Sequence, residues 1–273
     1  MDTLLIRLQL MAPNIMLGLS MILVIILSFI NCKKHGLTKR STLLFILAGY
    51  TLGVGCAMLM GDLYTLVAKM FDGGGSRLAI FGVVASLPFI LVVFSLLSGT
   101  SWRGVNDLFA PGAFLGLAFS KFGCFIYGCC PGIECDFGVY NRIHDKIMFP
   151  SQLFESITMI LVVGFSFWYN YKYKKKIPGT AYPVTAIAYT VTRFIWEFWR
   201  YYDIEEMKHL LFGLSFWQIW CVIVFVISVI WIVIAKNPKL PEKEERFYAW
   251  RKKQVQKLRE RLSGNKKPEN IGA

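Results

Sequence analysis

Arg193, Glu197 and Arg200 stand at i, i+4 and i+7 in a stretch that otherwise reads as a membrane-crossing helix. Continuous helix brings positions with that spacing to one face. A guanidinium a couple of turns inside an apolar span needs an anionic partner. Glu197 can supply it from the same helix, and Glu155 from the helix before. Two chemistries fit. One is a structural ion-pair network holding helices together. The other is a cationic pocket for a lipid phosphate, which the planar fork of arginine binds through paired hydrogen bonds.

A second constellation precedes it. Residues 121–132 read Lys-Phe-Gly-Cys-Phe-Ile-Tyr-Gly-Cys-Cys-Pro-Gly, and residues 149–155 read Phe-Pro-Ser-Gln-Leu-Phe-Glu. Lysine, glutamine and glutamate are costly in lipid unless satisfied, so they mark a cavity or a reaction site. Gly123, Gly128 and Gly132 permit close approach, to another helix or to a ligand headgroup. Pro150 with Ser151 and Gln152 predicts a helix start, whose free amides also suit an anion. Cys124, Cys129, Cys130 and Cys135 form C-x4-C-C-x4-C, which is not the paired spacing of a zinc site, and no metal is expected. These thiols read as packing residues with an outer-face disulfide from Cys129 or Cys130 to Cys135, or as a membrane thiol–disulfide exchanger if Lys121 activates one of them. The chain has three histidines; His144 is the one near this stretch and is a weak candidate for a base.

The elements that must position these groups are membrane helices. Apolar residues make up 55% of the chain, and several runs reach the ~20 residues that cross a bilayer. The fold class predicted is all-α: a polytopic membrane protein with seven transmembrane helices near 14–30, 42–60, 78–97, 107–128, 150–169, 181–199 and 214–234. Residues 1–13 read either as an interfacial helix or as a frayed end. Asp2 and the lack of a small-residue cleavage site argue against a removable signal peptide. Threading seven spans with the N-terminus outside puts four basic clusters on one side: Lys33 to Arg40, Arg103, Lys172 to Lys176, and the tail. That side should be cytoplasmic. Residues 1–235 form one membrane domain and 236–273 a basic cytoplasmic tail, with an amphipathic helix expected over 241–264. The net charge of +13 thus belongs with anionic lipid, and nucleic-acid binding is not expected.

Three segments, in order, resemble the prolipoprotein diacylglyceryl transferases, a bacterial family of seven-span enzymes. The family's G-R-x-G-N-F-x-N-G-E-x-x-G is similar to Ser120–Gly132, its H-P-S-Q-L-Y-E to Phe149–Glu155, and its Y-G-x-x-R-x-x-x-E-x-x-R-x-x-D to Tyr189–Asp203. The resemblance covers roughly Leu78 to Ile234. It implies transfer of the diacylglyceryl group of phosphatidylglycerol to the cysteine thiol of a prolipoprotein, or a related transfer to another acceptor, in the bacterial cell membrane and without a cofactor. Arg193, Lys121 and Glu155 would be catalytic. Gly123, Gly132, Ser151, Gln152, Glu197 and Arg200 would bind substrate. Cys124 and Tyr127 replace asparagines of the pattern, Cys129 a glutamate and Phe149 a histidine, while Arg77–Gly82 stands where the family has histidine-glycine-glycine. A non-catalytic phospholipid-binding protein is the other reading those replacements leave open.

Overall fold

The computed structural model describes residues 3–71, 79, 81–173 and 177–264. Arg77 and Lys174 to Lys176 of the readings above lie outside them. Helices dominate: α1 (Thr3–Asn31), α2 (Lys39–Lys69), α3 (Phe81–Ser98), α4 (Trp102–Tyr127), α5 (Ser151–Tyr173), α6 (Ala181–Trp196), the short α7 (Glu205–Lys208), α8 (Phe216–Ala235) and α9 (Leu240–Gly264). Among the described residues, five helices are long and apolar enough to cross a membrane: α1, α2, α4, α5 and α8. Two further apolar helices are shorter. α3 has 18 residues and α6 has 16, the latter only about 24 Å of helix.

Local chemistry explains where the helices begin and end. Thr38 and Ser41 form a reciprocal capping box at the start of α2, as do Ser215 and Gln218 at α8. Ser101 caps α4, and Gly128 ends it at φ 93°, where a side chain would be strained. α6 is capped from another helix. Buried Asp107 of α4 accepts from Gly179 N at 2.7 Å and Ala181 N at 2.9 Å, satisfying amides that have no partner within the helix. The described part of the 1–13 stretch does not form a separate element. From Thr3 it continues into α1 as one helix with Pro13 inside it.

α4 is the hub, packed against α1, α3, α5 and α6. In lipid the tails are as apolar as leucine, so helices associate through close packing. Small residues on α4 allow it: a side chain at Gly123 would come within 2.9 Å of the Pro13 backbone of α1, and one at Gly112 within 3.3 Å of Val24. One buried core joins Phe114 and Ala118 of α4 to Met159 of α5, Tyr182 and Tyr189 of α6, and Val224 of α8. The opposite faces of the long helices are aliphatic and exposed, as at Leu59, Leu161 and Val233, which is what a lipid-facing belt requires.

The polar segment after α4 holds what helical patterning missed: an antiparallel hairpin of β1 (Glu134–Asn141) and β2 (Lys146–Met148). Asn141 closes its turn, accepting from the amides of Ile143 and His144 and donating to Gly128 O at 2.7 Å. Arg142 reaches Gln9 of α1 at 2.9 Å. At the other end of the bundle, α9 is the expected tail helix. It is anchored through Glu244, which accepts from Ser101 and, at 2.5 Å, from Arg103.

Candidate lipid-phosphate site

The sequence-predicted charges converge. Glu155 Oε1 accepts from Arg193 Nη1 at 3.0 Å and Arg200 Nη1 at 2.8 Å, and its Oε2 pairs with Lys121 Nζ at 2.6 Å. Glu197 pairs with Arg193 and also accepts from the Tyr202 hydroxyl. The exposed fractions are 12% for Lys121, 3% for Glu155, 5% for Arg193, 1% for Glu197 and 10% for Arg200, so bulk water does not screen these charges. Three cations face two carboxylates, leaving an uncompensated positive charge. Taking such groups out of water costs several kcal/mol per ion. Full mutual neutralisation would be expected of a purely structural network.

Arg200 arrives by a route the i, i+7 spacing did not anticipate. α6 stops at Trp196, residues 197–199 tighten into a 3-10 turn, and Arg200 is extended, with φ −83° and ψ 137°. It bridges in antiparallel fashion to Gly132. Gly132 N donates to Phe149 O at 2.8 Å and Ile133 N to Trp199 O at 3.0 Å. A side chain at Gly132 would lie 2.5 Å from Trp199 O, so glycine is required for this three-way junction.

The excess charge faces a cavity of about 700 Å³. Lys121, Arg193 and Arg200 line it, whereas Glu155 and Glu197 stand behind them and do not. Beyond the cations the walls become apolar: Leu17, Met21 and Val24 of α1, Phe45 and Ile46 of α2, Leu87 and Leu91 of α3, and Phe109 of α4. The space therefore has a cationic end and an aliphatic body, the shape and polarity of an anionic amphiphile. α5 contributes to the charge cluster but not to the cavity wall, while α1 and α2, which sequence reading left outside the site, form much of the wall. Their signal was present as Pro13, Leu17, Met21 and Val24 at helical spacing, facing Gly112, Gly116 and Ser120 at every fourth position of α4.

The remaining predicted residues sit one layer back. Gln152 Nε2 donates to Cys129 O at 2.7 Å and Ser151 Oγ to Cys130 O at 3.4 Å, so the start of α5 holds the 129–130 loop. Gly123 is the contact between α4 and α1, outside the cavity wall. Phe149 stacks on Phe154 at 5.1 Å and on Trp196 at 6.2 Å. All seven cysteines are free thiols, so the expected outer-face disulfide is not formed. Cys124, Cys129 and Cys130 line the cavity; Cys135 does not. Cys130 is the exposed one, held at φ 58°. Hydrogen bonds from Cys124 and Cys129, with Arg200 and Lys121 nearby, hold its thiol well below the usual thiol range. Tyr202 and His144 also line the cavity.

Comparison with known proteins finds relatives of one kind. The phosphatidylglycerol–prolipoprotein diacylglyceryl transferase of Helicobacter hepaticus is 29% identical over 161 residues, covering 57% of this chain and 54% of the relative. The second such transferase of Clostridium perfringens is 25% identical over 207 residues, 71% of this chain and 80% of its own. That of Methylobacillus flagellatus is 27% identical over 214 residues, 74% and 80% respectively. The aligned segment thus spans about half of the first of these relatives and four-fifths of the other two. A profile of the prolipoprotein diacylglyceryl transferase family matches residues 4–234, and the chain belongs to that family.

Proposed function

We propose that this chain transfers the diacylglyceryl group of phosphatidylglycerol to the cysteine thiol of a prolipoprotein. It acts in a bacterial cell membrane, crossing it seven times with the N-terminus outside and residues 236–273 in the cytoplasm. The observation that carries the reading is the cavity with three cations at one end and aliphatic walls along the rest. The acyl chains lie along α1 to α4, and the phosphate meets Arg193, Arg200 and Lys121. The acceptor sulfur attacks the glycerol carbon of the diacylglyceryl group. The carbon–oxygen bond to phosphate breaks, and its electron pair leaves with glycerol phosphate. Charge develops on that departing oxygen, and fixed guanidinium donors in a water-poor site stabilise it most there. Glu155 and Glu197 act as positioning residues, holding the guanidinium planes toward the cavity. Gln152, Ser151 and Gly132 hold the loop and junction that shape its polar end, and Gly123 seats α4 on α1.

The test is turnover by the purified chain, with labelled phosphatidylglycerol and a peptide containing the acceptor cysteine. A thioether product is expected. Arg193→Ala should lower kcat by roughly 10²–10³-fold, the scale for removing one transition-state donor. Lipid retained without any product by the wild-type protein would support the non-catalytic binding reading instead. Product formation indifferent to Arg193 would refute the phosphate role.

A further inference from the structure

We infer that His144 is the base that takes the proton from the acceptor thiol. The inference rests on the transfer reading above. A thiol is a poor nucleophile until it is ionised, so the reaction needs a proton acceptor where the sulfur enters. Phe149, just before α5, is committed to an aromatic stack and offers no basic atom. Glu155, saturated by Lys121, Arg193 and Arg200, is behind the wall.

His144 is the one histidine on the cavity wall, and imidazole is the side chain that exchanges a proton near neutral pH. Its ring meets that of Tyr201 edge-on, with centroids 4.9 Å apart. Its backbone is fixed by the hydrogen bond to Asn141 Oδ1 at 3.2 Å, and Asn141 is itself tied to Gly128 at the end of α4. Hairpin neighbours that could occupy the ring are engaged elsewhere: Asp145 accepts from Tyr140, Arg142 holds Gln9, and Lys146 pairs with Glu134. Neither ring nitrogen has a hydrogen-bond partner among the described residues. The ionisable groups sharing this end of the cavity are Lys121, Arg193, Arg200, Asp203, the Tyr189, Tyr201 and Tyr202 hydroxyls, and the Cys124, Cys129 and Cys130 thiols. Of these the carboxylate is too weak a base for a thiol, and so is Cys130, whose own thiol is made more acidic by hydrogen bonds from Cys124 and Cys129 and by Arg200 and Lys121 nearby. In the step, the acceptor S–H bond breaks and its proton moves to an imidazole nitrogen. The sulfur electron pair forms the S–C bond as the C–O bond to phosphate opens. The imidazolium then returns the proton to the departing glycerol phosphate or to water.

The experiment compares the wild type, His144→Gln and Cys130→Ser, using the full chain in phosphatidylglycerol nanodiscs. Each receives two acceptor peptides that differ only in cysteine or selenocysteine; the selenol is ionised at neutral pH without help. His144→Gln should lose about 10²-fold or more of kcat with the thiol peptide. The falling acid limb of the wild-type pH profile should vanish with it. With the selenol peptide the loss should be slight. Restoration of thiol turnover in His144→Gly by free imidazole is also expected. Equal loss with both peptides, at unchanged phosphatidylglycerol binding, would reduce His144 to a structural role and overturn the inference. So would full activity of His144→Gln, or an acceptor-dependent loss that appears in Cys130→Ser instead. A wild type that binds the lipid but modifies neither peptide sinks the transfer reading itself, a distinguishable result.

Discussion

At the scale of single residues, what separates a working anion site from a structural ion-pair network is where the excess charge points. Glu155 contacts three cations with two oxygens, and every one of those cations keeps a face on the cavity. Arg193, Glu197 and Arg200 were visible in the sequence because charge inside an apolar span always demands an explanation. Gln152 and Ser151 were visible too, but not the groups they hold. Residue type announces a hydrogen-bonding group without naming its partners, which within the protein are the carbonyls of Cys129 and Cys130. The Cys130 thiol provides a direct probe of the same space. It is exposed and lines the cavity, and its proton is held weakly beside Arg200 and Lys121. A small charged alkylating reagent should therefore modify Cys130 before Cys124 or Cys129, and should do so below the ordinary thiol pKa of about 8.5. Phosphatidylglycerol should protect it. Mass spectrometry of the digested protein reads all three outcomes; equal labelling of the three thiols, with no protection by lipid, would contradict this placement of the headgroup.

At the scale of elements, the apolar stretches predicted from composition reappear as helices, five of them long and apolar enough to cross a membrane, though α1 begins at Thr3 and α2 runs on to Lys69, well beyond the predicted bounds. Three features escaped. The hairpin over Glu134–Met148 was lost because its sequence is mixed and short. The early end of α6 was lost because nothing local in Trp196–Arg200 forbids helix; the junction with Gly132 and Phe149 decides it. The cap on α6 was lost because the accepting carboxylate is about seventy positions away, on α4. That last device carries a prediction. Asp107 satisfies two amides where α6 begins, in a position closed to water. Asp107→Ala leaves both unpaired, at a cost of about 2 kcal/mol. It should lower the thermal midpoint of the purified protein by several degrees. Turnover per folded molecule should persist, since Asp107 lies outside the cavity wall. An unchanged midpoint would mean that other donors or waters replace the cap.

At the scale of the whole molecule, periodicity on each helix predicts an inward face but cannot say which inward faces meet. A cavity is a property of the meeting. Here α1, α2, α3 and α4 leave space between them because α4 presents Gly112, Ala113, Gly116 and Ser120 where a packed bundle would carry larger side chains. Gly116 is the position at which stability and function pull apart. A side chain there meets only Ser20, with the nearest atom 3.9 Å away, and the backbone is ordinary helix. Replacing glycine with leucine inside a helix gains about 0.8–1 kcal/mol of propensity, and the new methyls find aliphatic neighbours across the gap. Gly116→Leu should therefore keep or raise the thermal midpoint while filling the space assigned to the acyl chains. The retained phosphatidylglycerol should fall, and the KM for lipid should rise by about tenfold, an energetic cost of about 1.4 kcal/mol. The loss in kcat should be smaller than for Arg193→Ala, whose contact strengthens only as the phosphate departs. Thermal denaturation, lipid extraction with mass spectrometry, and Michaelis kinetics on one preparation decide it. If Gly116→Leu is as stable as the wild type and holds as much lipid, the acyl chains do not run along α4 and the cavity serves something else.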